Sequence, residues 1–174
     1  MGHRAGVAQL VEHFIRNEGV IGSSPIVGSP PSLTDPVPSL RTGRPADVKG
    51  LLGFWRRAEA SPSSTESAED VHGLLERDPD ALIVAESEGE IVGTLVAGWD
   101  GWRATFYRLA VDPAHRRHGL ATALVRAGEE RFRALGAKRL NAIAESHKPG
   151  AMAFWASAGY ELQTSRSRFV KNLP

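Results

Sequence analysis

The 174-residue sequence predicts one folded domain of the α+β class, and three observations support that prediction. Runs rich in β-branched and aromatic residues alternate with runs in which apolar residues recur every three or four positions, so we expect both strands and helices. Three strand-like runs follow one another with only short turns between them, which indicates an antiparallel meander. A composition of 41% apolar and 24% charged residues is ordinary for a protein with a hydrophobic core.

The first 36 residues differ in composition from the rest of the chain. The stretch GVIGSSPIVGSPPSLTDPVP is rich in Gly, Ser and Pro, which predicts a loop or disorder. Residues 1 to about 32 resemble the peptide that results when a reading frame runs through a transfer-RNA gene, so we expect the true start downstream. A genuine flexible extension is the alternative. The predicted single domain therefore spans residues 37–174.

The domain is predicted to begin with one strand and two helices. Val37–Thr42 has the composition of a strand. Beyond Pro45, which suits a first helical turn, apolar residues recur at helical spacing and predict a helix over Ala46–Ala58. A second helix is predicted over Ser67–Arg77, with the Ser67 hydroxyl or a nearby one as its N-cap.

The meander comes next and is followed by further elements. Its strands are predicted over Ala81–Glu86, Glu90–Trp99 and Arg103–Val111, with a strong turn signal at Asp100-Gly101. A long amphipathic helix begins at Gly119 and ends at Gly136, the usual position of a helix C-cap. The last elements are a strand, a short helix and a closing hairpin, over Arg139–Ala144, Gly150–Ala158, and Tyr160–Thr164 with Ser167–Lys171. The predicted order is βααβββαβαββ.

The segment YRLAVDPAHRRHGLATALV is the most informative for function. A strand ends near Asp112, and a short basic turn opens the long helix. Such a turn points several free backbone N–H groups at one place, at the positive end of the helix dipole and beside Arg116 and Arg117. Gly119 and Ala121 leave the approach clear, so the turn could hold a pyrophosphate without a metal ion. Taken alone, the turn also fits a solvated loop with well-placed charges.

The same turn carries a family resemblance. The residues RRHGLA resemble the Arg-x-x-Gly-x-Gly/Ala signature of the GNAT (general control non-repressible-related) N-acetyltransferase superfamily, and Leu109, Val111 and Pro113 match its Leu-x-Val-x-Pro strand end. The later stretch AMAFWASAGYE is similar to the Ala-x-x-Phe-Tyr-x-x-x-Gly-Phe/Tyr segment of that superfamily. The resemblance extends from about Leu40 to Asn172.

The resemblance implies a fold and a cosubstrate. The fold is a mixed, mostly antiparallel central sheet, splayed between the fourth and fifth strands and flanked by about four helices. Acetyl-coenzyme A would lie in the splay, with its pantetheine between Tyr107–Val111 and Leu140–Ala144 and its pyrophosphate on the basic turn. The implied cofactor-binding residues are Leu109, Ala110, Val111, Arg116, Arg117, His118, Gly119, Leu120, Ala121, Thr122 and Trp155.

The implied activity is direct transfer of an acetyl group to a primary amine, and two positions depart from the family pattern. Trp155 stands where many members have a Tyr that protonates the leaving thiolate, and an indole cannot serve as that acid. Lys148 stands where an Asn is frequent. For the general base, the catalytic candidates are Tyr107 and Glu145, with Asp100 and a water relay as alternatives.

The acceptor is expected to lie between the first two helices and the meander, with Arg57–Ser67, Trp99 and Trp102 at the rim. The two tryptophans are either core residues or a wall of the acceptor site. It could be an amine-bearing small molecule or a protein, and the protein itself a monomer or a homodimer. A non-catalytic acyl-CoA sensor or scaffold with the same fold is the alternative function. Thioester turnover with any amine would exclude it.

Composition argues against several other classes. The chain has no cysteine, which removes disulfides and thiolate metal sites and fits a cytoplasmic protein, and no metal site is expected. No apolar run approaches the ~20 residues needed to cross a bilayer, so no membrane association is expected. With a net charge of +1, nucleic-acid binding is not expected either. That alternative would use Arg116, Arg117, Arg131, Arg133, Lys138 and Arg139.

Overall fold

A five-stranded mixed sheet lies at the centre of the computed structural model, which describes residues 37–58, 60 and 65–172. The predicted N-terminal extension, residues 1–36, falls outside the described residues. The strands follow chain order across the sheet, and they are β1 Ser39–Thr42, β2 Leu82–Ser87, β3 Glu90–Trp99, β4 Ala104–Val111 and β5 Leu140–Ala142. Neighbouring strands are antiparallel except β4 and β5, which are parallel.

Four α-helices flank this sheet within the described part of the chain. They are α1 Val48–Arg57, α2 Ala68–Arg77, α3 Leu120–Ala134 and α4 Pro149–Ser157, and a 3-10 turn, Pro45–Asp47, precedes α1. The expected N-cap of α2 is confirmed, because Ser67 Oγ accepts a hydrogen bond from the Asp70 amide at 3.0 Å. The Asp70 carboxylate in turn accepts one from the Ser67 amide at 3.0 Å, which completes a capping box.

Each face of the sheet buries its own apolar cluster, because side chains alternate along a strand. Phe106 and Leu95 belong to the cluster on the side of α3 and α4, where the Phe106 ring centroid lies 5.0 Å from that of Phe132. Leu82 and Val96 point the other way and belong to the cluster that α1 and α2 cover. The residue pattern of β3 and β4 therefore assigns each of their side chains to one of two environments.

A buried ion pair joins α3 to the opposite side of the sheet. Both carboxylate oxygens of Asp78 accept hydrogen bonds from Arg131, at 2.5 and 2.6 Å, and the Arg131 guanidinium also donates to the Ala97 carbonyl at 2.9 Å. The Arg131 side chain is only 7% exposed. Arg131 is therefore not part of an accessible basic surface, and the nucleic-acid alternative loses one of the six residues on which it depended.

The predicted closing hairpin is wrong. Between Glu161 and Asn172 the described chain contains no strand, and the apolar residues there are largely exposed, with Phe169 at 93% and Leu162 at 65%. A two-stranded hairpin is at best marginally stable unless one face is buried. The sequence SRSRFVKN alternates too little apolar character to supply such a face, so the β-branched and aromatic residues misled the prediction.

Candidate active site

Strand β4 contains a bulge in the middle of the segment for which cofactor contacts were expected. Thr94 of β3 pairs with Ala110 and Val96 pairs with Tyr107, so Arg108 and Leu109 lie together opposite a single β3 residue. Arg108 has φ +54°, in the left-handed region. For a residue with a side chain this conformation costs roughly 1–2 kcal/mol, so neighbouring contacts must hold it.

Thr94 supplies such a contact from the neighbouring strand. Its side chain is fully buried on the α1 face of the sheet. The Thr94 hydroxyl donates to the Arg108 carbonyl at 3.0 Å and accepts from the Trp55 indole N–H of α1 at 3.0 Å. One hydroxyl therefore satisfies two polar groups that burial would otherwise leave unpaired.

The pairing of β4 with β5 ends immediately before the bulge. Ala104–Phe106 pair with Leu140–Ala142, and no pairing is recorded beyond Phe106 among the described residues. Strand β4 itself continues to Val111 and remains paired with β3. From Tyr107 onward the backbone groups of β4 on the β5 side thus have no strand partner. This is the splay expected between the fourth and fifth strands, and the observed fold confirms it.

The turn between β4 and α3 is shaped by local hydrogen bonds and two left-handed residues. The Asp112 carboxylate accepts from the Ala114 amide at 2.9 Å and opens a short 3-10 turn, Pro113–His115. Arg117 has φ +69° and Gly119 has φ +79°. Successive changes of backbone hand of this kind turn several N–H groups toward one side of the chain.

Helix α3 begins at this turn without a capping side chain. Gly119 is its N-cap, and the first intrahelical hydrogen bond runs from the Ala123 amide to the Gly119 carbonyl at 3.0 Å. The amides of the first turn of the helix therefore have no intrahelical acceptor, and they belong to Leu120, Ala121 and Thr122. A Cβ atom built on Gly119 would meet nothing within 4 Å, so the N-cap position itself is not crowded by other parts of the fold.

Arg116 has a structural role that the sequence did not indicate. Its guanidinium donates to the Val111 carbonyl at the end of β4 and to the Ala58 carbonyl at the end of α1, both at 3.1 Å. The side chain therefore ties the turn to two elements of the fold. Arg117 and His118 are exposed at the turn. Binding of the cofactor by these three residues stays a prediction.

Comparison with known proteins agrees with this geometry. The model of the acetyltransferase (GNAT) family matches residues 49–160, which include the bulge, the turn and α4. An acetyltransferase of Sodalis glossinidius is 30% identical over 126 residues, which are 72% of this chain and 89% of that protein. The chain belongs to the GNAT acetyltransferase family. It is therefore an acyltransferase.

Solved structures show the GNAT fold at lower identity. An aminoglycoside antibiotic 6'-N-acetyltransferase of Acinetobacter haemolyticus has a TM-score of 0.63 at 21% identity, over 78% of this chain and 99% of that chain. The enzyme AAC(6')-Iy, in complex with a bisubstrate analogue, CoA-S-monomethyl-acetylneamine, has a TM-score of 0.61 at 17% identity, over 79% and 99%. At such identities the likeness establishes the fold and does not identify the acceptor.

Trp155, which the family resemblance aligns with the Tyr acid of many members, is a packed indole. Trp155 is 9% exposed and stacks on Phe106 with ring centroids 5.9 Å apart. The Trp155 and Tyr160 rings meet edge to face with their centroids 4.8 Å apart, and the Tyr160 hydroxyl donates a hydrogen bond to the Glu129 carboxylate at 2.8 Å. Burial is the larger cause and that hydrogen bond the smaller one that together raise the pKa of the Tyr160 hydroxyl well above its ordinary value. Both rings belong to the core on the α3 side, and contact between Trp155 and the cofactor stays a prediction.

The two base candidates lie on different sides of the splay. Tyr107 precedes the bulge on the α1 face and is 42% exposed. Glu145 follows β5, where its carboxylate is 2.9 Å from Lys148 Nζ and 3.7 Å from His147 Nε2. Asp100 instead stabilises the β3–β4 turn, because its carboxylate accepts from two backbone amides of that turn, at 2.6 and 2.8 Å. These hydrogen bonds lower the Asp100 pKa and suit a structural role.

The sequence did not reveal the charged group beside the bulge. Arg108 forms an ion pair with Glu66, which precedes α2, and its guanidinium carbon lies 5.4 Å from the centroid of the Trp55 ring. Burial lowers the Arg108 pKa, while the charge of Glu145 opposes that shift. Arg108 on the bulge thus interacts with a carboxylate between α1 and α2 and with another after β5. No short motif links these three positions, which lie far apart in the sequence.

The expected acceptor rim is only partly assembled. Trp99 packs against the apolar cluster on the α3 side, because the alternation of β3 turns it away from α1, and this favours the core alternative for that residue. Trp102 is 77% exposed, with the Arg103 guanidinium 4.3 Å from its ring centroid. Of the Arg57–Ser67 segment, residues 59 and 61–64 fall outside the described residues.

Two searches of the described residues complete the description of the chain. None of the helices in residues 37–58, 60 and 65–172 is both long and apolar enough to cross a membrane. In the same part of the chain, no group of three or more His, Asp or Glu residues is arranged so that it could hold a metal ion.

Proposed function

We propose that this GNAT acyltransferase moves the acetyl group of acetyl-coenzyme A directly to an amine. The observation that carries the proposal is the juxtaposition of two backbone features. A bulged strand has no β5 partner beyond Phe106, and its last residue, Val111, lies eight residues before Gly119, the N-cap of α3, which has no side-chain cap. An extended thioester with an anion at its far end has the chemistry that such a pair of features can bind.

The turn fits the pyrophosphate of coenzyme A. The amides of Leu120, Ala121 and Thr122 are free of intrahelical acceptors and lie at the positive end of a 15-residue helix. Gly119 leaves the approach open, and Arg117 and His118 are exposed beside it. Backbone donors recognise phosphate oxygens without a metal ion, as in other helix N-terminal phosphate sites.

The β5 side of β4 fits the pantetheine and the acyl group. An extended pantetheine amide chain can hydrogen-bond to Leu109 and Val111 as an added strand would. The bulge interrupts the regular ladder at Arg108 and Leu109, which frees a backbone N–H from the usual alternation. We infer that an amide at Leu109 or Ala110 stabilises the oxyanion that forms when the amine attacks the thioester.

The chemical step requires little of the side chains. A neutral amine nitrogen bonds to the thioester carbonyl carbon, the C–S bond breaks, and coenzyme A leaves as a thiolate. A thiol pKa of about 8.5 makes that thiolate a tolerable leaving group, so the buried Trp155 does not prevent turnover. The amine proton passes to Glu145, to Tyr107, or to water held between them.

Acidic and basic side chains near the bulge balance each other, which fits an amine acceptor that must react in its neutral form. Glu66 and Glu145 carry negative charge, while Arg108 and Lys148 carry positive charge and lie against them. The acceptor would enter between the α1–α2 segment and the β3–β4 hairpin. Both a small molecule and a protein amine suit this proposal.

Amine-dependent thiol release tests the proposal. The full chain is incubated with acetyl-coenzyme A and a panel of amines that includes peptides with free N-termini, lysine, polyamines and aminoglycosides, and free thiol is measured. Release that saturates with one amine class would support direct transfer and name the acceptor class. Tight acetyl-coenzyme A binding without release across the panel would favour the sensor alternative.

A further inference from the structure

Thr94 occupies an unusual position in the core. It is a polar side chain with no exposed surface, and it lies on β3 directly behind the β4 bulge. Its hydroxyl contacts the Arg108 carbonyl and the Trp55 indole N–H, both at 3.0 Å. A valine would fill a similar volume without a hydroxyl that has to be hydrogen-bonded, so packing alone does not explain a threonine at this position.

The hydrogen bond from Thr94 fixes the direction of a peptide plane. In a trans peptide the carbonyl and the following N–H point in opposite directions. The Arg108 carbonyl is directed to β3, where Thr94 holds it, and the described residues contain no cis peptide bond. The Leu109 N–H therefore points away from the Thr94 hydroxyl, and the strand edge that faces away from β3 has no β5 partner at this position.

The left-handed conformation of Arg108 makes this support necessary. With φ at +54°, the residue is strained, and a relaxed backbone would rotate the same peptide plane. Trp55 holds the Thr94 hydroxyl in the orientation that leaves its proton for Arg108, because the indole can only donate. The hydrogen bonds from Trp55 to Thr94 and from Thr94 to Arg108 thus connect α1 with the peptide plane that sets the direction of the Leu109 N–H.

We propose that Thr94 is a positioning residue, which aims the Leu109 N–H at the carbonyl oxygen of the bound acyl thioester. This inference rests on the proposed function, because it requires a thioester in the splay. Coenzyme A without an acyl group has no such oxygen. Loss of the hydroxyl should therefore weaken binding of acetyl-coenzyme A and leave binding of coenzyme A unchanged.

The test compares both ligands by calorimetry in the full chain. In Thr94→Val we expect acetyl-coenzyme A to bind about twofold to tenfold more weakly, the loss typical of one neutral hydrogen bond, with no change for coenzyme A. Thr94→Ser should restore the parent ratio of the two affinities. Thr105→Val, a matched change in β4, should leave the ratio as it is, since no hydrogen bond of the Thr105 side chain is recorded within the described chain.

A second variant separates positioning from stability. Thr94→Val strands the Trp55 indole donor in the core and will lower the unfolding midpoint. Trp55→Phe in the same chain removes that donor, so the double variant should regain part of the stability while the affinity ratio stays altered. Turnover should also fall by about tenfold, less than the 100-fold or greater loss seen when an oxyanion donor is removed outright.

The outcomes are distinct. Folded Thr94→Val protein that keeps the parent ratio of acetyl-coenzyme A to coenzyme A affinity would overturn the positioning role while leaving the proposed function intact. A parent chain that binds neither ligand would overturn the proposed function, and the inference with it.

Discussion

Removing the carboxylate of Asp78 should destabilise the fold through the charge that it leaves behind. The Arg131 side chain is 7% exposed, and its guanidinium donates hydrogen bonds to both carboxylate oxygens of Asp78 at 2.5 and 2.6 Å. Breaking a buried ion pair from one side typically costs about 3–5 kcal/mol. Asp78 itself is 25% exposed, and the Ala97 carbonyl still accepts from Arg131, so water and backbone offset part of the loss. We therefore expect Asp78→Ala to lose about 2–3 kcal/mol of unfolding free energy.

Urea unfolding followed by circular dichroism measures this loss. Asp80→Ala is the matched control, because that carboxylate lies on the same loop and is exposed. It should change stability by less than about 0.5 kcal/mol. The double change Asp78→Ala with Arg131→Met should recover part of the loss, since it removes the uncompensated charge. If Asp78→Ala unfolds at the same urea concentration as Asp80→Ala, the ion pair does not hold α3 in place.

Three further predictions concern packing, pH and chemistry. Gly128→Ala places a Cβ 2.5 Å from the Phe106 ring and should lower the free energy of unfolding by about 1–3 kcal/mol. Gly73→Ala, in open space, should be neutral or stabilising by up to about 1 kcal/mol, and thermal unfolding compares the two variants. Because the pKa of Tyr160 is raised in the folded state, its contribution to the free energy of unfolding is complete below pH 10 and declines as the pH rises beyond that value. Tyr160→Phe should therefore flatten the alkaline limb of a stability–pH profile, and parallel profiles for the parent and the variant would contradict this. Glu145→Gln should lower amine-dependent turnover by about 10²-fold or more at neutral pH if Glu145 takes the proton, and an unchanged rate would assign that step to Tyr107 or water.

Most of the fold could be predicted because its signals are local. The Ser67 cap, the Asp100-Gly101 turn and the glycine ends of α3 are fixed by residues within a few positions of each other. The β3 bounds Glu90–Trp99 agree with the prediction residue by residue. The closing hairpin failed for the complementary reason, because strand formation there depends on a buried face that local composition cannot guarantee.

The site divides along the same line. The basic turn and Gly119 were predictable, since a short motif places them where a strand meets a helix. The bulge was not, because it is a two-against-one register between β3 and β4, and Thr94 acquires meaning only when it lies behind Arg108. Whether Trp99 is a core residue or a wall of the acceptor site could not be decided from the sequence for a related reason, since the face on which a strand residue lies is known only when the strand's partners are known.

Binding of acetyl-coenzyme A at the α3 turn is the central claim, and one calorimetric comparison tests it most directly. Gly119→Glu adds a carboxylate in front of the free amides, and Gly136→Glu adds the same side chain at a position of nearly equal φ, +80° against +79°, also in open space, at the far end of α3. The two variants therefore carry the same backbone strain, so that a difference in affinity reports on the position of the carboxylate. We expect the parent and Gly136→Glu to bind acetyl-coenzyme A alike and Gly119→Glu to bind at least about tenfold more weakly, a difference of about 1.4 kcal/mol. Equal affinities in the two variants, or no binding by the parent, would contradict the claim.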